Sequence, residues 1–243
     1  MKRIDEATLA ILSRVTVDGN MIKLTCGQLD RKQYLAVNEI LELMGGKWTK
    51  KVKAHVFPEA PTDRLESVLL TGEITQPKQY GYFPTPPAIA KLIIEQACVD
   101  PGMTVLEPSA GQGGIAEHVP QGCTLDCIEL LPDNVAVLER KGYAVMPGDF
   151  LEMDVAPLYD RVIMNPPFER QQDIDHVLHA LKCLKPGGRL VSIMSAGVLF
   201  RDNRKTAEFR EMVSSCGRME RLPEGSFLES GTNVNAVMVV MDT

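Results

Sequence analysis

The sequence predicts an α/β protein, in which a doubly wound, mostly parallel sheet follows a small N-terminal α+β module. Between residues 81 and 243, short apolar runs alternate with segments of helical periodicity, the pattern of repeated βα units. A glycine-rich loop follows the first of these runs, as in sheets that bind nucleotides. Charge separates the two parts, because residues 1–80 carry a net charge of +2 and the remainder carries −8.

Composition narrows the class of protein. A hydrophobic content of 44% and a charged content of 24% are ordinary for a globular protein. No apolar stretch approaches the roughly 20 residues of a membrane span, and the N-terminus lacks the apolar core of a signal peptide. The six cysteines form no CxxC pair, which favours buried thiols over disulfides or zinc. We therefore expect a cytoplasmic protein without membrane contact or a metal site.

The N-terminal module, residues 1–80, is predicted to contain short helices and strands. The predicted elements are a helix over 4–15, a strand over 20–25, a helix capped by Asp30, a strand or hairpin over 47–57 and a helix over 63–71. Residues 72–82 are predicted to be the linker.

A basic segment in this module is a candidate nucleic-acid contact. Trp48, the only tryptophan, is surrounded by Lys47, Lys50, Lys51 and Lys53, which suits phosphate binding combined with base stacking. Two alternatives stay open. In the first, the lysines protect an exposed edge strand. In the second, the whole module only caps the larger domain.

The larger domain opens with Thr85, a residue type that caps helices, in front of two prolines. The apolar run 103–106 then leads into a loop that contains Glu107, Gly111 and Gly113, followed by a predicted helix from residue 115. Glycines let the backbone turn sharply and lie against a ligand. Residues 111–116 also fit the G-x-G-x-x-A pattern of nicotinamide-cofactor sites, but no second dinucleotide-type half follows.

Further polar residues follow the later strands. A strand over 125–128 ends at Glu129, where a carboxylate can accept hydrogen bonds from both hydroxyls of a ribose. The predicted helix over 173–184 carries His176 and His179 on one face, which we interpret as a solvated face because no third metal ligand is evident. The polar segment 195–205 is a candidate phosphate-contacting loop. Its basic residues are Arg201, Arg204 and Lys205.

The most informative motif is Asn165-Pro166-Pro167-Phe168, at the end of the apolar run 161–164. In open α/β sheets, ligands bind at the carboxyl ends of the strands. The Asn165 amide oxygen and the Pro166 carbonyl can both accept hydrogen bonds from one planar amine. Phe168 can stack on the ring that carries this amine. The motif therefore predicts methylation of an exocyclic amine.

Asn-Pro-Pro-Phe after a strand resembles the catalytic motif of S-adenosylmethionine (SAM)-dependent amino-methyltransferases, most of which act on adenine N6 in DNA. The resemblance implies a Rossmann-like class I methyltransferase sheet over residues 81–243 and SAM as cofactor. In this family the Thr-Pro segment contacts the methionine end of SAM, the Asp149 equivalent accepts from the cofactor adenine and the Phe150 equivalent packs on it. The implied cofactor-binding residues are Phe83, Thr85, Glu107, Pro108, Ala110, Gly111, Gly113, Glu129, Leu130, Asp149, Phe150 and Asn165.

The resemblance leaves the substrate open. DNA is the expected partner, and the chain is similar in form to small orphan enzymes of phages and plasmids. RNA guanine-N2 or adenine methyltransferases are the main alternative, because the same hydrogen-bond acceptors suit any planar exocyclic amine. Another alternative is a nucleic-acid-binding protein that keeps the fold without turnover. Many relatives continue into a target-recognition domain after the last strand, so we expect either the N-terminal module to read the target or recognition to be relaxed. The oligomeric state is not predicted.

Overall fold

The computed structural model describes residues 2–25, 27, 29–58, 60–74 and 84–243. Contacts divide the chain into two units, Met1–Tyr80 with Ala196–Glu208, and Gly81–Ser195 with Phe209–Thr243. The predicted cofactor residue Phe83 and most of the predicted linker lie outside the described residues. In the described part of the chain, no helix is long and apolar enough to cross a membrane.

The first unit is built from short strands and helices. Along the N-terminal part of the chain these are β1 (Lys2–Arg3), α1 (Glu6–Leu12), β2 (Thr16–Asp18), β3 (Met21–Lys23), α2 (Arg31–Leu43), β4 (Lys47–Thr49), β5 (Ala54–Val56), α3 (Thr62–Thr71) and β6 (Glu73–Ile74). β1 pairs with β6, and the other strands form an antiparallel sheet in the order β2-β3-β5-β4. The segment 47–57, predicted as a strand or a hairpin, is a hairpin of β4 and β5, with β4 at the edge of the sheet.

Local signals explain the longest helix of this unit. Asp30 caps α2, its side chain accepting from the backbone N–H of Gln33 at 2.8 Å, while the Gln33 side chain accepts from the Asp30 backbone N–H. This reciprocal capping box satisfies two N–H groups that a helix start otherwise leaves unpaired. The apolar face of α2 then packs into a core with Leu12, Ile22 and Phe57.

The second unit contains the large sheet. Its elements, together with α7 of the first unit, are α4 (Pro87–Ala97), β7 (Thr104–Glu107), β8 (Thr124–Glu129), α5 (Pro132–Arg140), β9 (Ala144–Pro147), β10 (Tyr159–Met164), α6 (Gln172–Leu181), β11 (Leu184–Ser195), α7 (Gly197–Phe200), α8 (Arg204–Cys216), β12 (Gly217–Arg221) and β13 (Ala236–Asp242).

The seven strands run in the order β12-β13-β11-β10-β7-β8-β9. The pairings from β11 through β9 are parallel, whereas β13 is antiparallel to both β11 and β12. From the central β7 the chain first builds outward through β8 and β9, and then returns to add β10 on the other side of β7. The carboxyl ends of β7 and β10 therefore flank the point where the strand order reverses, which is where doubly wound sheets bind ligands.

Packing fixes this sheet rigidly. One face buries Val105, Ile163, Val191 and Met238 against α4. β-Branched and other apolar side chains on both faces make the central strands near-continuous hydrophobic runs, as parallel sheets require. The strands thus hold the polar residues at their ends in fixed positions.

Two sequence expectations about local structure are wrong. No α-helix follows the glycine loop, where the chain forms turns and a single 3₁₀ turn, Ala116–His118. Pro120 cannot continue a helix, and three glycines in the preceding loop disfavour one. The segment 195–205 is not a polar loop, because α7 and the start of α8 occupy most of it.

Candidate active site

Three polar residues stand at the carboxyl ends of neighbouring strands. Glu107 is the last residue of β7, Glu129 is the last residue of β8, and Asn165 follows β10. The strands are parallel and adjacent in the order β10-β7-β8, so these side chains occupy one edge of the sheet. The structure thus brings together the residues that the sequence placed in separate motifs.

The glycine loop after β7 is tied to the next strand. The N–H of Ala110 donates to the Ile128 carbonyl at 3.0 Å, and the N–H of Gly113 donates to the Ala110 carbonyl at 2.8 Å. Gly111 and Gly113 have φ values of +56° and +86°, a region that favours glycine. A Cβ on Gly113 would meet Leu138 and Tyr143 at 3.2 Å, so the loop lies against side chains that would have to shift for a larger residue.

Glu129 holds this loop in place. Its Oε2 accepts from the Gly111 N–H at 2.7 Å and its Oε1 accepts from the Leu131 N–H at 2.8 Å. Asn134, a buried residue that the sequence analysis missed, donates to the same Oε1 at 3.4 Å. An ionised carboxylate offers about four acceptor positions, so the group retains capacity for ligand hydroxyls. Leu130, the next residue, is exposed beside it.

Glu107 is almost completely buried, with 1% of its surface exposed. Burial raises the pKa of its carboxyl well above the ordinary value of 4.5, and the nearby Glu129 charge raises it further, whereas backbone N–H groups of Ala116 and Ile115 oppose the shift. Among the described side chains, its Oε2 is one of the few buried polar atoms without a hydrogen-bond partner. An uncompensated buried acceptor of this kind is costly.

We expect Glu107→Gln to stabilise the cofactor-free protein in neutral and alkaline solution. Because the pKa is raised on folding, the folded state holds a proton more tightly than the unfolded state, and stability falls as the pH rises above 4.5 towards the folded pKa. Gln removes this penalty. A rise in melting temperature of about 2–4 °C at pH 8, and almost none near pH 4, corresponds to about 1 kcal/mol.

Thermal unfolding between pH 4 and pH 9 measures the effect. Glu139→Gln, which removes an exposed carboxylate from α5, is the matched control. Equal pH dependence in wild type and Glu107→Gln would show that Glu107 is not the buried titrating group.

Asn165 has a partner that the sequence did not reveal. Its Nδ2 donates to the Oγ1 of Thr85 at 3.1 Å. Thr85 was predicted to cap the following helix, and this expectation is wrong, because Pro86 is the N-cap and no side-chain cap bond forms. The glycine loop approaches the same residue, since a Cβ on Gly114 would lie 3.3 Å from the Thr85 carbonyl oxygen. With Nδ2 engaged, the Asn165 Oδ1 is left as the acceptor.

The rest of the motif forms a rigid turn. Pro166 is buried, Pro167 is exposed, and Phe168 is half-buried with part of its ring against the core of the sheet. Neither Pro166 nor Pro167 has a backbone N–H. The turn therefore offers the Pro166 carbonyl as a hydrogen-bond acceptor without an adjacent backbone donor. Arg170 and Gln171 follow with φ values of +53° and +60°, which non-glycine residues seldom adopt and which occur preferentially at functional sites.

Asp149 begins the 3₁₀ turn after β9, and its Oδ1 accepts from the Leu151 N–H at 2.9 Å. Phe150 is buried, and its ring meets the His179 ring edge-on at 4.8 Å. The interpretation of His176 and His179 as a solvated face is wrong. His176 is buried, and His179 Nε2 lies 3.0 Å from the Met153 carbonyl oxygen. No metal-binding group of three or more His, Cys, Asp or Glu residues occurs among the described residues.

The candidate nucleic-acid residues fall into two groups. Trp48 is 41% exposed in β4, and Lys50, Lys51 and Lys53 are exposed in the turn between β4 and β5. Arg204 is exposed and pairs with Glu208 one helical turn away, and Lys205 is half-buried.

Arg201 requires a correction. It was predicted to contact phosphate, but its side chain is only 7% exposed and its Nη2 pairs with the Glu66 Oε1 at 2.8 Å within the first unit. A buried guanidinium that is already paired with a carboxylate cannot be offered to a phosphate without breaking the pair. The sequence showed the charge of Arg201 but not its partner 135 residues away.

Comparison with known proteins supports the fold. No protein-family model matches the chain. The chain is 29% identical over 163 residues to ribosomal RNA small subunit methyltransferase C of Chromohalobacter salexigens, an alignment that covers 61% of this chain. It covers 49% of that protein, so the chain spans about half the length of the curated relative it matches.

Solved structures with the same fold include two methyltransferases of type I restriction systems. The methyltransferase subunit from Streptococcus thermophilus matches with a TM-score of 0.59 at 20% identity. The matched region covers 74% of this chain and 48% of that subunit. The EcoKI M protein has a TM-score of 0.59 at 18% identity and covers 97% of this chain and 56% of its own. The predicted fold class is confirmed, because the seven-stranded sheet is that of class I methyltransferases.

Proposed function

We propose that this chain transfers a methyl group from S-adenosylmethionine to the exocyclic N6 amine of adenine in DNA. The observation that carries the proposal is the position of Asn165-Pro166 at the end of β10, next to the glycine loop of β7. This arrangement offers acceptors for an amine beside a site for a nucleoside-containing cofactor. The similarity to methyltransferases that act on nucleic acids supports the same class of reaction.

The residues present fit the cofactor. Gly111 and Gly113 bring no side chain to the loop at the sheet edge, Glu129 can accept from ribose hydroxyls, and the exposed side chain of Leu130 can contact an adenine ring. The unpartnered Oε2 of Glu107 can accept from an ammonium group once it is ionised. Asp149 and Thr85 complete the set that the family resemblance implies. When bound, SAM supplies an electrophilic methyl group.

The protein contributes alignment and polarisation. The target base leaves its stack, and the ring of Phe168 offers a stacking surface that offsets part of the cost of a few kcal/mol. The Asn165 Oδ1 and the Pro166 carbonyl each accept one N–H of the amine, which fixes the plane of the amine and directs the nitrogen lone pair away from ring conjugation. Fixed orientation of this kind supplies much of the rate in two-substrate reactions. The proposed reaction forms no covalent enzyme intermediate.

Methyl transfer from labelled SAM tests the proposal directly. We would offer duplex DNA, single-stranded DNA, total RNA and protein in parallel, and identify the labelled nucleoside after digestion. We expect label in N6-methyladenine from DNA. Label confined to protein, or no label despite tight SAM binding, would contradict the proposed function.

An RNA base is the second candidate substrate. It is favoured by the 29% identity to a methyltransferase of ribosomal RNA. The same acceptors serve adenine N6 or guanine N2, because both are planar exocyclic amines. Label in N6-methyladenine or N2-methylguanine from RNA, with none in DNA, would establish this alternative.

A further inference from the structure

The turn between β4 and β5 forms a basic surface on the first unit. We call residues 47–53 the lysine hairpin, which comprises β4 and the turn that precedes β5. Thr49 pairs with Ala54 at the end of the ladder, so residues 50–53 lie beyond the paired strands. Lys50, Lys51 and Lys53 are all exposed there.

No ion pair among the described residues neutralises the charge of this hairpin. From Met44 to Pro58 the sequence has four lysines and no Asp or Glu. Within the described part of the chain, none of Lys47, Lys50, Lys51 and Lys53 forms an ion pair. Four unpaired ammonium groups within seven residues produce a local positive potential on a protein whose net charge is −6.

The ring of Trp48 packs against a buried histidine and is partly exposed to solvent. Its ring contacts the ring of His55 edge-on, with centroids 5.2 Å apart and planes at 61°. His55 is completely buried, and its Nε2 lies 2.9 Å from the Asn38 Oδ1 on α2. Burial lowers the pKa of His55, so the imidazole is neutral at pH 7 and adds no charge beneath the tryptophan. The indole thus packs against His55 while 41% of the Trp48 surface stays exposed.

Protection of the sheet edge does not explain these lysines. β4 is the edge strand, but only Lys47 belongs to it, whereas Lys50, Lys51 and Lys53 lie in the turn. A three-residue edge strand also presents few unpaired backbone groups. An exposed tryptophan among unpaired cations instead matches the combination that binds single-stranded nucleic acid, in which bases stack on aromatic rings and cations track the phosphates.

We propose that the lysine hairpin binds single-stranded DNA, with a base stacked on Trp48 and phosphates contacted by Lys50, Lys51 and Lys53. An intact duplex keeps its bases stacked on one another, so it can engage the lysines but not the indole. The choice of DNA rests on the proposed function. Binding itself does not, because the hairpin and its charge are present whether or not methyl transfer occurs.

The single tryptophan provides the measurement. Titration of the full-length protein with single-stranded oligodeoxynucleotides, in the absence of cofactor, is expected to quench the Trp48 fluorescence, while duplex of the same sequence is expected to leave it nearly unchanged. Lys50→Gln/Lys51→Gln should weaken binding about 10- to 30-fold at 0.1 M salt and make the salt dependence shallower by about 1.4 in log–log slope. Lys91→Gln/Lys182→Gln, which removes two exposed lysines from the second unit, is the matched control.

Trp48→Leu separates stacking from charge. With a fluorescently labelled oligonucleotide, we expect about 10-fold weaker binding and an unchanged salt slope. Absence of quenching, equal quenching by duplex, or equal weakening in the control variant would overturn the proposal. Tighter binding to single-stranded RNA than to DNA would overturn the choice of DNA. Because binding is measured without SAM, its failure is distinguishable from failure of methyl transfer.

Discussion

Asn165→Ala is expected to reduce methyl transfer by at least about 10²–10³-fold while SAM binding changes by no more than a few fold. The Asn165 Oδ1 acts on the substrate amine, and its loss removes one of the two acceptors that orient the nitrogen. The glycine loop and Glu129 lie at the ends of β7 and β8 and keep their hydrogen bonds to each other. Single-turnover transfer and calorimetric titration of SAM measure the two effects separately.

Circular dichroism must show that the Asn165→Ala protein is folded. Loss of SAM binding in a folded variant would contradict the assignment of Asn165 to the amine, and undiminished transfer would exclude it from catalysis.

Thr85→Val tests how the Asn165 amide is oriented. The hydroxyl of Thr85 accepts from Asn165 Nδ2, which directs the Oδ1 towards the substrate. Valine has the same shape without the hydroxyl, so we expect kcat to fall about 10-fold, the approximate worth of one hydrogen bond of about 1.4 kcal/mol. Thr85→Ser should restore it. If Thr85 acts only through the methionine end of SAM, the KM for SAM rises instead and kcat at saturation is unchanged.

Glu66→Ala is expected to destabilise the first unit by about 3 kcal/mol, a fall in melting temperature of roughly 6–12 °C. The side chains of Glu66 and Arg201 are 17% and 7% exposed, so removal of the carboxylate breaks an ion pair that is largely shielded from water. This value lies at the lower end of the destabilisation expected for a broken buried ion pair, because the Glu66 side chain is still partly exposed to solvent. Thermal unfolding, followed by the Trp48 fluorescence, reports on this unit directly.

Glu208→Ala is the control for Glu66→Ala. Arg204 and Glu208 form an exposed pair one turn apart on α8, and such pairs contribute little to stability. Equal effects of the two substitutions would show that burial does not govern the Glu66–Arg201 pair.

The sequence predicted the parts of the site that depend on local pattern. Asn165, Glu129 and the glycine loop each follow an apolar run, and parallel strands necessarily bring such positions to one edge. The helix cap at Asp30 and the extended segment at Trp48 were also predictable, because their partners lie within a few residues.

Long-range pairing was not predictable from one sequence. The sequence around Thr85 predicts a helix cap, but the Thr85 hydroxyl accepts a hydrogen bond from Asn165, 80 residues later in the chain. Arg201 reads as a basic residue in a polar loop, but it is buried against a carboxylate of α3. The spacing of His176 and His179 on their helix is compatible with a solvent-exposed face or a buried face. Only the contacts with Phe150 and Met153 show that this face is packed against the protein.

Residues 196–208 belong to the first unit although they lie between β11 and the end of α8. In this segment Phe200 packs against the core of the first unit, and Asp202 and Arg201 pair with Arg14 and Glu66. Residues 1–80 therefore do not make up the whole first unit. A recombination crossover at residue 80 would separate them from residues 196–208 of the same unit. A chimaera joined there would combine the core of one protein with the inserted segment of another, and the packing of Phe200 and the ion pairs of Arg201 and Asp202 would then depend on residues from two different sequences.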